Sequence, residues 1–221
     1  MRLNGGVMLI NFAEREAQIK IVYYGPALAG KTTSLQYLAK RLNVQITDMP
    51  LAGDKDRTVF FEFAPLTQKF GNWSVKFNFY TLPGQPRFSK TRALVLRGVH
   101  GIVYVADSQY QAAEENLRML ADLQDRLEED GQVLEGLSSQ KEGVVPIVLF
   151  YNKRDLQEVM PVEYMDVTFD LRNWKVPRIA GCALTGENVL KAVDILSSNL
   201  MRKLSERLGL EWEDEEQTSK V

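Results

Sequence analysis

The chain has 221 residues, of which 45% are hydrophobic and 25% are charged. These fractions are ordinary for a soluble globular chain and exclude wholesale disorder, a collagen-like fibre and a disulfide scaffold. The formal net charge is −2. Proteins that act on duplex nucleic acid usually carry a basic excess, so we expect no nucleic-acid partner.

Cysteine and membrane signals are sparse. Cys182 is the only cysteine, so no intramolecular disulfide can form, and we expect a cytoplasmic protein. The longest apolar runs, residues 101–106 and 144–151, fall far short of the roughly 20 residues that span a bilayer. The sequence lacks a myristoylation glycine and a prenylation cysteine, so we expect no direct membrane anchor.

Strand and helix patterns alternate from residue 17 onward. The predicted strands cover residues 18–24, 58–63, 73–81, 101–107, 146–152 and 176–183. Strands that are apolar on both faces and alternate with helices indicate an α/β fold with a mostly parallel six-stranded sheet and helices on both faces. The short turn at Gly71-Asn72 makes one edge strand antiparallel. Residues 131–143 lack periodicity and predict a loop.

Apolar residues recur at helical spacing in three segments. The predicted stripes are Leu35, Leu38, Ala39 and Leu42; Leu117, Leu120, Leu123 and Leu127; and Val189, Val193, Leu196, Leu200 and Leu204. We divide the chain into an N-terminal extension at 1–16 that includes the start of the first strand, a domain at 17–208, and an acidic tail at 209–221.

Residues 25–32 match the pattern G-x-x-x-x-G-K-[ST] of a phosphate-binding loop. Its backbone N–H groups point at the α- and β-phosphates of a nucleotide. Lys31 adds a charge at the β- and γ-phosphates, and the Thr32 hydroxyl coordinates Mg²⁺. A strand ends before the loop and a helix begins at Lys31, which favours this function over a simple glycine-rich turn. The predicted phosphate-binding residues are Gly25, Ala27, Leu28, Ala29, Gly30, Lys31, Thr32 and Thr33.

A second motif, Asn152-Lys153-Arg154-Asp155, follows a buried strand. The carboxylate of Asp155 can accept hydrogen bonds from both the ring N–H and the exocyclic amine of guanine. Adenine lacks this pair of donors, so ATP would leave the carboxylate unpaired. This motif therefore predicts GTP and GDP as ligands, bound through Asn152, Lys153 and Asp155. An ATP-using phosphate-loop enzyme is the alternative, and it would require that this motif does not bind the base.

The order of these motifs resembles that of small Ras-like GTPases. Within that superfamily the chain closely resembles the bacterial MglA cell-polarity GTPases, in strings at residues 21–26, 56–61, 80–85, 96–99, 101–103 and 105–108. The similarity runs from about residue 10 to about residue 205. It implies a three-layer Ras-like G domain that cycles between GTP and GDP states with Mg²⁺.

Two segments carry the predicted catalytic residues. Thr58 lies before a strand, where its hydroxyl could reach Mg²⁺ and the γ-phosphate, and Arg57 could place a guanidinium on the transferring phosphoryl group. An arginine so placed accelerates hydrolysis by about 10³–10⁵. The resemblance implies the same two roles, with Gln85 orienting the attacking water and Gly84 donating its N–H to the γ-phosphate. An exposed arginine and an ordinary proline-glycine turn are the alternatives.

Two residues depart from the common Ras-like pattern. Thr81 stands where most relatives have a Mg²⁺-holding aspartate, and Ala27 stands where the loop usually has glycine. A methyl group at Ala27 points towards the space used by Gln85 and the γ-phosphate. Pro86 further restricts Gln85. We therefore expect a GTPase that is slow without a partner, with a GTP-bound scaffold that hydrolyses little as the alternative.

The resemblance also implies a late base-contacting loop and partners. In that loop, at Cys182-Ala183-Leu184, Ala183 offers its N–H to the guanine oxygen, and Leu184 replaces the usual lysine. The implied partners are an MglB-like roadblock-domain homodimer that promotes hydrolysis, and polarity or motility effectors. Such partners would recruit the protein to a cell pole.

Overall fold

The computed structural model describes residues 8–51, 59–81, 89–137 and 142–210. The strands in these ranges are β1 (Leu9–Asn11), β2 (Glu16–Tyr24), β3 (Thr47–Leu51), β4 (Val59–Phe70), β5 (Trp73–Thr81), β6 (Gly101–Asp107), β7 (Val133–Leu134), β8 (Val144–Val145), β9 (Ile147–Asn152) and β10 (Arg178–Ala180). The helices are α1 (Lys31–Leu42), α2 (Ser89–Leu96), α3 (Ala113–Glu129), α4 (Val162–Thr168) and α5 (Val189–Leu208).

One sheet of eight strands runs through the described part of the chain. Its order is β10-β9-β6-β2-β5-β4-β3, with β1 added beside β2. The central pairs β2–β5, β2–β6, β6–β9 and β9–β10 are parallel, whereas β4 pairs antiparallel with β5 and with β3. The predicted fold class, a mostly parallel sheet with an antiparallel edge, is confirmed.

The sequence predicts six strands and misses β1 and β3. Pro50 and Asp48 interrupt any apolar alternation in β3, so its own sequence does not predict a strand. The strand exists through its pairing with β4, in which Thr47 faces Phe63 and Leu51 faces Val59. β1 lies in the predicted N-terminal extension and pairs antiparallel with the start of β2.

The two faces of the sheet carry separate hydrophobic cores. Alternate residues of β2 point to opposite faces, so Ile21 packs in the core beneath α1 and α5, while Val22 packs in the core beneath α2, α3 and α4. Each large side chain fully buried in either core stabilises the fold by roughly 1.5–3 kcal/mol relative to an exposed one. Helices therefore cover both faces, as predicted.

Helix α3 differs in detail from its predicted stripe. Leu120, Leu123 and Leu127 are buried as expected, but Leu117 is 42% exposed and its neighbour Asn116 is buried. Asn116 turns inward because its side-chain amide exchanges two hydrogen bonds with the backbone of Asp107, at 2.8 and 3.0 Å. The predicted stripe of α5 is buried throughout.

The predicted loop at 131–143 contains a strand that the sequence pattern misses. β7 pairs parallel with β8 just beyond it, and Leu134 and Val145 are buried in the second core. Two residues per strand are too few to show a period.

A helix that spans a membrane must be both long and apolar. None of the helices in the described ranges is both long and apolar enough to cross a bilayer.

The loops after β2, β9 and β10 leave from the carboxyl ends of parallel strands and so lie at the same edge of the sheet. Gly25 follows β2, and Asp107 and Asn152 end the neighbouring strands β6 and β9 in register with each other. In open α/β sheets this edge is where ligands bind. The loops after β2, β9 and β10 therefore meet at one site.

Candidate nucleotide-binding site

The loop between β2 and α1 needs glycine at both ends. Gly25 has φ of 131° and Gly30 has φ of 102°, in the left-handed region that side chains disfavour. A Cβ on Gly25 would overlap the carbonyl oxygen of Val105, and one on Gly30 would overlap the side-chain amide of Asn152. The loop therefore lies against β6 and β9 with no room for larger residues.

The side chain of Lys31 lies inside this loop. The residue is only 6% exposed, and its ammonium donates hydrogen bonds to the carbonyls of Gly25, at 3.0 Å, and Pro26. Burial lowers the pKa of Lys31 to about 8, and the nearby guanidinium of Arg92 adds to the effect. An anion at this position would offset the effects of burial and of Arg92 on the pKa of Lys31, because it would stabilise the charged ammonium.

The start of α1 adds further positive potential. Gly30 is its N-cap and makes no side-chain cap, and the first turn contains no acidic residue. The first N–H groups of a helix lack intrahelical partners and favour negative charge. In that turn, Thr32 is exposed and Thr33 is half-buried. The arrangement fits phosphate groups.

Asn152 joins three segments that the sequence analysis singled out separately. Its amide nitrogen donates to the carbonyl of Ala29 at 2.6 Å, across 123 positions of the chain. Its amide oxygen accepts the N–H of Ala183 at 2.7 Å, across 31 positions. Asn152 is 2% exposed, so both bonds are shielded from water. The phosphate loop and the two predicted base-reading loops are thus held as one unit.

Lys153 is positioned by residues that the sequence analysis did not assign to the site. Its ammonium forms an ion pair with Asp107 at 2.6 Å and lies 3.4 Å from the side-chain oxygen of Gln109. Asp107 is fixed by the buried Asn116. A signal existed, since Asp107 ends an otherwise apolar strand and Asn116 lies beside an apolar helical stripe.

The loops that are predicted to read the base are more open. Asp155 is exposed and accepts a hydrogen bond from the thiol of Cys182 at 3.1 Å. Ala183 is buried, whereas Leu184 is 76% exposed. Leu28 of the phosphate loop is 89% exposed. The phosphate loop and the predicted base-reading loop therefore each expose one leucine.

Several predicted residues lie outside the described ranges. Arg57, Thr58, Gly84, Gln85 and Pro86 belong to this group. Of the two departures from the common pattern, Ala27 is half-buried within the phosphate loop, and Thr81 is 4% exposed at the end of β5.

A parallel α/β sheet, a phosphate loop after its second strand and two further loops at the same edge define a phosphate-loop nucleotide-binding domain. The model of the ADP-ribosylation factor family matches residues 7–200. The chain therefore belongs to the ADP-ribosylation factor family of small GTPases, whose members in general hydrolyse GTP.

Two relatives refine this placement. The chain is 37% identical over 198 residues to the mutual gliding-motility protein MglA of Myxococcus xanthus, covering 88% of this chain and 96% of that protein. It is 25% identical over 201 residues to ADP-ribosylation factor-like protein 6 of Caenorhabditis elegans, covering 89% and 94%. The predicted resemblance to MglA-type Ras-like GTPases is confirmed.

Proposed function

We propose that this protein is a regulatory GTPase that cycles between GTP and GDP states and binds different partners in each. The bridge made by Asn152 is the observation that carries the proposal. It ties a loop fit for phosphates to loops fit for a purine base, so a single nucleotide can engage both. The membership of the small GTPase family supports the same function.

Each part of the nucleotide has a proposed set of contacts. The N–H groups of the phosphate loop and the ammonium of Lys31 bind the phosphates. Lys153 lies along the base and ribose, Asp155 accepts the two guanine donors, and the N–H of Ala183 meets the guanine oxygen. Because a carboxylate without donors is costly to cover, Asp155 selects guanine over adenine.

Hydrolysis is assigned to residues that precede β4 and α2. Arg57 stabilises the charge that develops on the γ-phosphate, and Gln85 orients the attacking water. Thr58 and Gly84 bind the γ-phosphate, so its loss releases both segments. We propose that Ala27 and Pro86 slow this step until a partner reorders Gln85.

Mg²⁺ fits the donor set at the start of α1. The exposed hydroxyl of Thr32 is an oxygen ligand next to the buried ammonium of Lys31. Mg²⁺ keeps several waters and takes few protein ligands beside phosphate oxygens. When bound, it would neutralise phosphate charge, with Thr58 as the second protein ligand.

The proposed partners come from the MglA relative. The name of that protein assigns it to gliding motility. We propose that this chain acts in the cytoplasm, is recruited to a cell pole, and controls polarity or motility through effectors. An MglB-like roadblock homodimer would act as its GTPase-activating partner.

Single-turnover hydrolysis of preloaded GTP tests the proposal, with the natural chain, Arg57→Ala and Ala27→Gly compared side by side. We expect slow hydrolysis by the natural chain, a further loss of about 10³-fold or more in Arg57→Ala, and faster hydrolysis in Ala27→Gly. Binding of GDP but not ADP is the companion measurement.

The outcomes separate the alternatives. Tight GTP binding with turnover only in Ala27→Gly, even with a roadblock partner present, would identify a GTP-bound scaffold instead. Equal affinity for ADP and GDP would contradict the assigned role of Asp155.

A further inference from the structure

A buried ion cluster links helix α2 to the strand that leads into the phosphate loop. Arg92 of α2 has a side chain that is 3% exposed, and its Nε donates to Oδ2 of Asp122 at 3.1 Å. The hydroxyl of Tyr24 donates to the same oxygen. Arg126 of α3 also binds this carboxylate through both of its oxygens, at 2.8 and 3.0 Å. One carboxylate thus joins three elements.

The elements joined by Asp122 are adjacent in sequence to the phosphate loop and to the segment that contains Gln85. Tyr24 is the last residue of β2 and directly precedes Gly25, whose carbonyl binds Lys31. Helix α2 begins four residues after Gln85 in the sequence. A displacement of either element changes the distance from its side chain to Asp122.

The charges in this region act on one another. Arg92 is close enough to Lys31 to help lower the pKa of that lysine, after the larger effect of burial. Burial opposes the ionised form of Asp122, but hydrogen bonds from Arg126 and Tyr24 and the charge of Arg92 lower the pKa of the carboxyl overall. Asp122 is therefore an anion that holds Arg92, and a phosphate bound near Lys31 would attract the same guanidinium.

We infer that Asp122 is a positioning residue that couples helix α2 to the phosphate loop, with Arg92 as its arm on α2 and Tyr24 as its arm on β2. The inference rests on the proposed function. The two arms have different but linked roles: the Arg92 pair holds α2 against α3, and the Tyr24 hydroxyl transmits a change at the phosphate loop to that pair through the shared carboxylate oxygen.

Amide hydrogen exchange of α2 in the full-length chain tests the coupling, with GDP and with the non-hydrolysable analogue GTPγS. In the natural chain we expect exchange to differ between the two nucleotides. Tyr24→Phe keeps the ring and removes the hydroxyl, so α2 should stay protected while the difference between nucleotides shrinks by about threefold or more. Arg92→Lys keeps the charge but loses the geometry of the guanidinium, so α2 should exchange faster in both states.

The matched control is Glu206→Gln on α5, which packs on the opposite face of the sheet. Glu206 pairs with Arg202 at the surface at 2.9 Å, and the two side chains are 62% and 53% exposed. This variant should leave the exchange of α2 unchanged in both nucleotide states. A general loss of stability would instead raise exchange across the whole sheet.

The outcomes are distinguishable. Failure of the natural chain to bind either nucleotide contradicts the proposed function and the coupling together. Binding of both nucleotides with the same α2 exchange in Tyr24→Phe as in the natural chain overturns the coupling alone. The double variant that combines Tyr24→Phe with Arg92→Lys is the last test. Effects on exchange that equal the sum of the two single effects also overturn the coupling, because linked arms require non-additivity.

Discussion

The two ends of the candidate site are built in different ways. The phosphate end is a buried backbone structure, in which glycines lie against neighbouring strands and Lys31 is wrapped by loop carbonyls. The base end is a surface structure held by side chains, in which Asp155 is exposed and accepts a hydrogen bond from the thiol of Cys182.

This difference determines how each end should respond to substitution. Backbone groups and a buried charge cannot move away when one partner is lost, so damage at the phosphate end is large and affects every nucleotide. An exposed carboxylate can be removed without disturbing the fold, so damage at the base end should be confined to the choice of base. Substitutions at the phosphate end should therefore lower the affinity for every nucleotide, whereas substitutions at the base end should change the selectivity for guanine.

Lys31→Met is the substitution at the phosphate end that we expect to lower nucleotide affinity most. We expect GDP affinity to fall by about 100-fold, since hydrogen bonds to charged groups contribute about 1.5–3 kcal/mol each. The nucleotide-free protein should become more stable, because the buried ammonium has a pKa of about 8 and is costly to keep charged. Calorimetric titration and thermal unfolding measure the two effects.

The pH dependence of the nucleotide-free protein has a definite sign. Between pH of about 8 and the ordinary lysine value of 10.5, the unfolded chain keeps a proton that folded Lys31 has released. Stability therefore rises with pH in this window, and Lys31→Met should show a smaller rise. Lys20→Met is the matched control, because burial also lowers the pKa of Lys20 to about 8, yet its ammonium binds the carbonyl of Arg97. This control should keep full GDP affinity, and equal losses in both variants would contradict the assignment of Lys31.

Asn152→Ala tests whether the two ends depend on each other. The substitution leaves the carbonyl of Ala29 and the N–H of Ala183 without their side-chain partner, which costs about 1–3 kcal/mol per buried group. We expect lower thermal stability and a drop of about tenfold or more in affinity for both GDP and GTP. Asn173→Ala removes an exposed amide that bonds Asp170 and should change neither quantity. Unchanged nucleotide affinity in Asn152→Ala would show that the ends act independently.

Asp155→Ala should affect the base end alone. We expect GDP affinity to fall by about tenfold, while the weak affinity for ADP and the unfolding temperature stay unchanged. Competition binding with the two nucleotides measures the ratio. Glu158→Ala, an equal change of charge on the same exposed loop, is the control. A parallel loss of ADP affinity would mean that Asp155 acts on the phosphate end instead.

The sequence predicts the elements that have their own periodic pattern. The five apolar positions of α5 and the strands β2, β6 and β9 are where the pattern places them. The short strand β3 and the inward turn of Asn116 are missed, because each depends on pairing with another element and not on a periodic pattern of its own. Local sequence carries no information about such pairing.

The same limit applies to the candidate site. The motif at residues 25–32 predicts a loop whose glycines and lysine have the required geometry, since the loop is defined by backbone conformation. The role of Asp122 is not evident in the sequence, because it acts through contacts between separate elements. Asp107 was not assigned to the site either, although a charged residue at the end of an apolar strand is a signal. Buried polar residues next to apolar stripes are the signal to look for in related chains.

The smallest expected effect concerns two adjacent tyrosines at the end of β2 that point to opposite faces of the sheet. The hydroxyl of Tyr23 is buried beneath the phosphate end and has no hydrogen-bond partner among the described residues, whereas that of Tyr24 binds Asp122. Tyr23→Phe removes an unsatisfied polar atom and should leave stability unchanged or raise it by up to about 1 kcal/mol. Tyr24→Phe removes a bond to a charged group and should destabilise by about 1–3 kcal/mol. Chemical denaturation of the nucleotide-free protein measures both. If Tyr23→Phe were the more damaging change, the hydroxyl of Tyr23 would contribute to the stability of the phosphate end. That result would contradict its treatment as an unsatisfied polar atom.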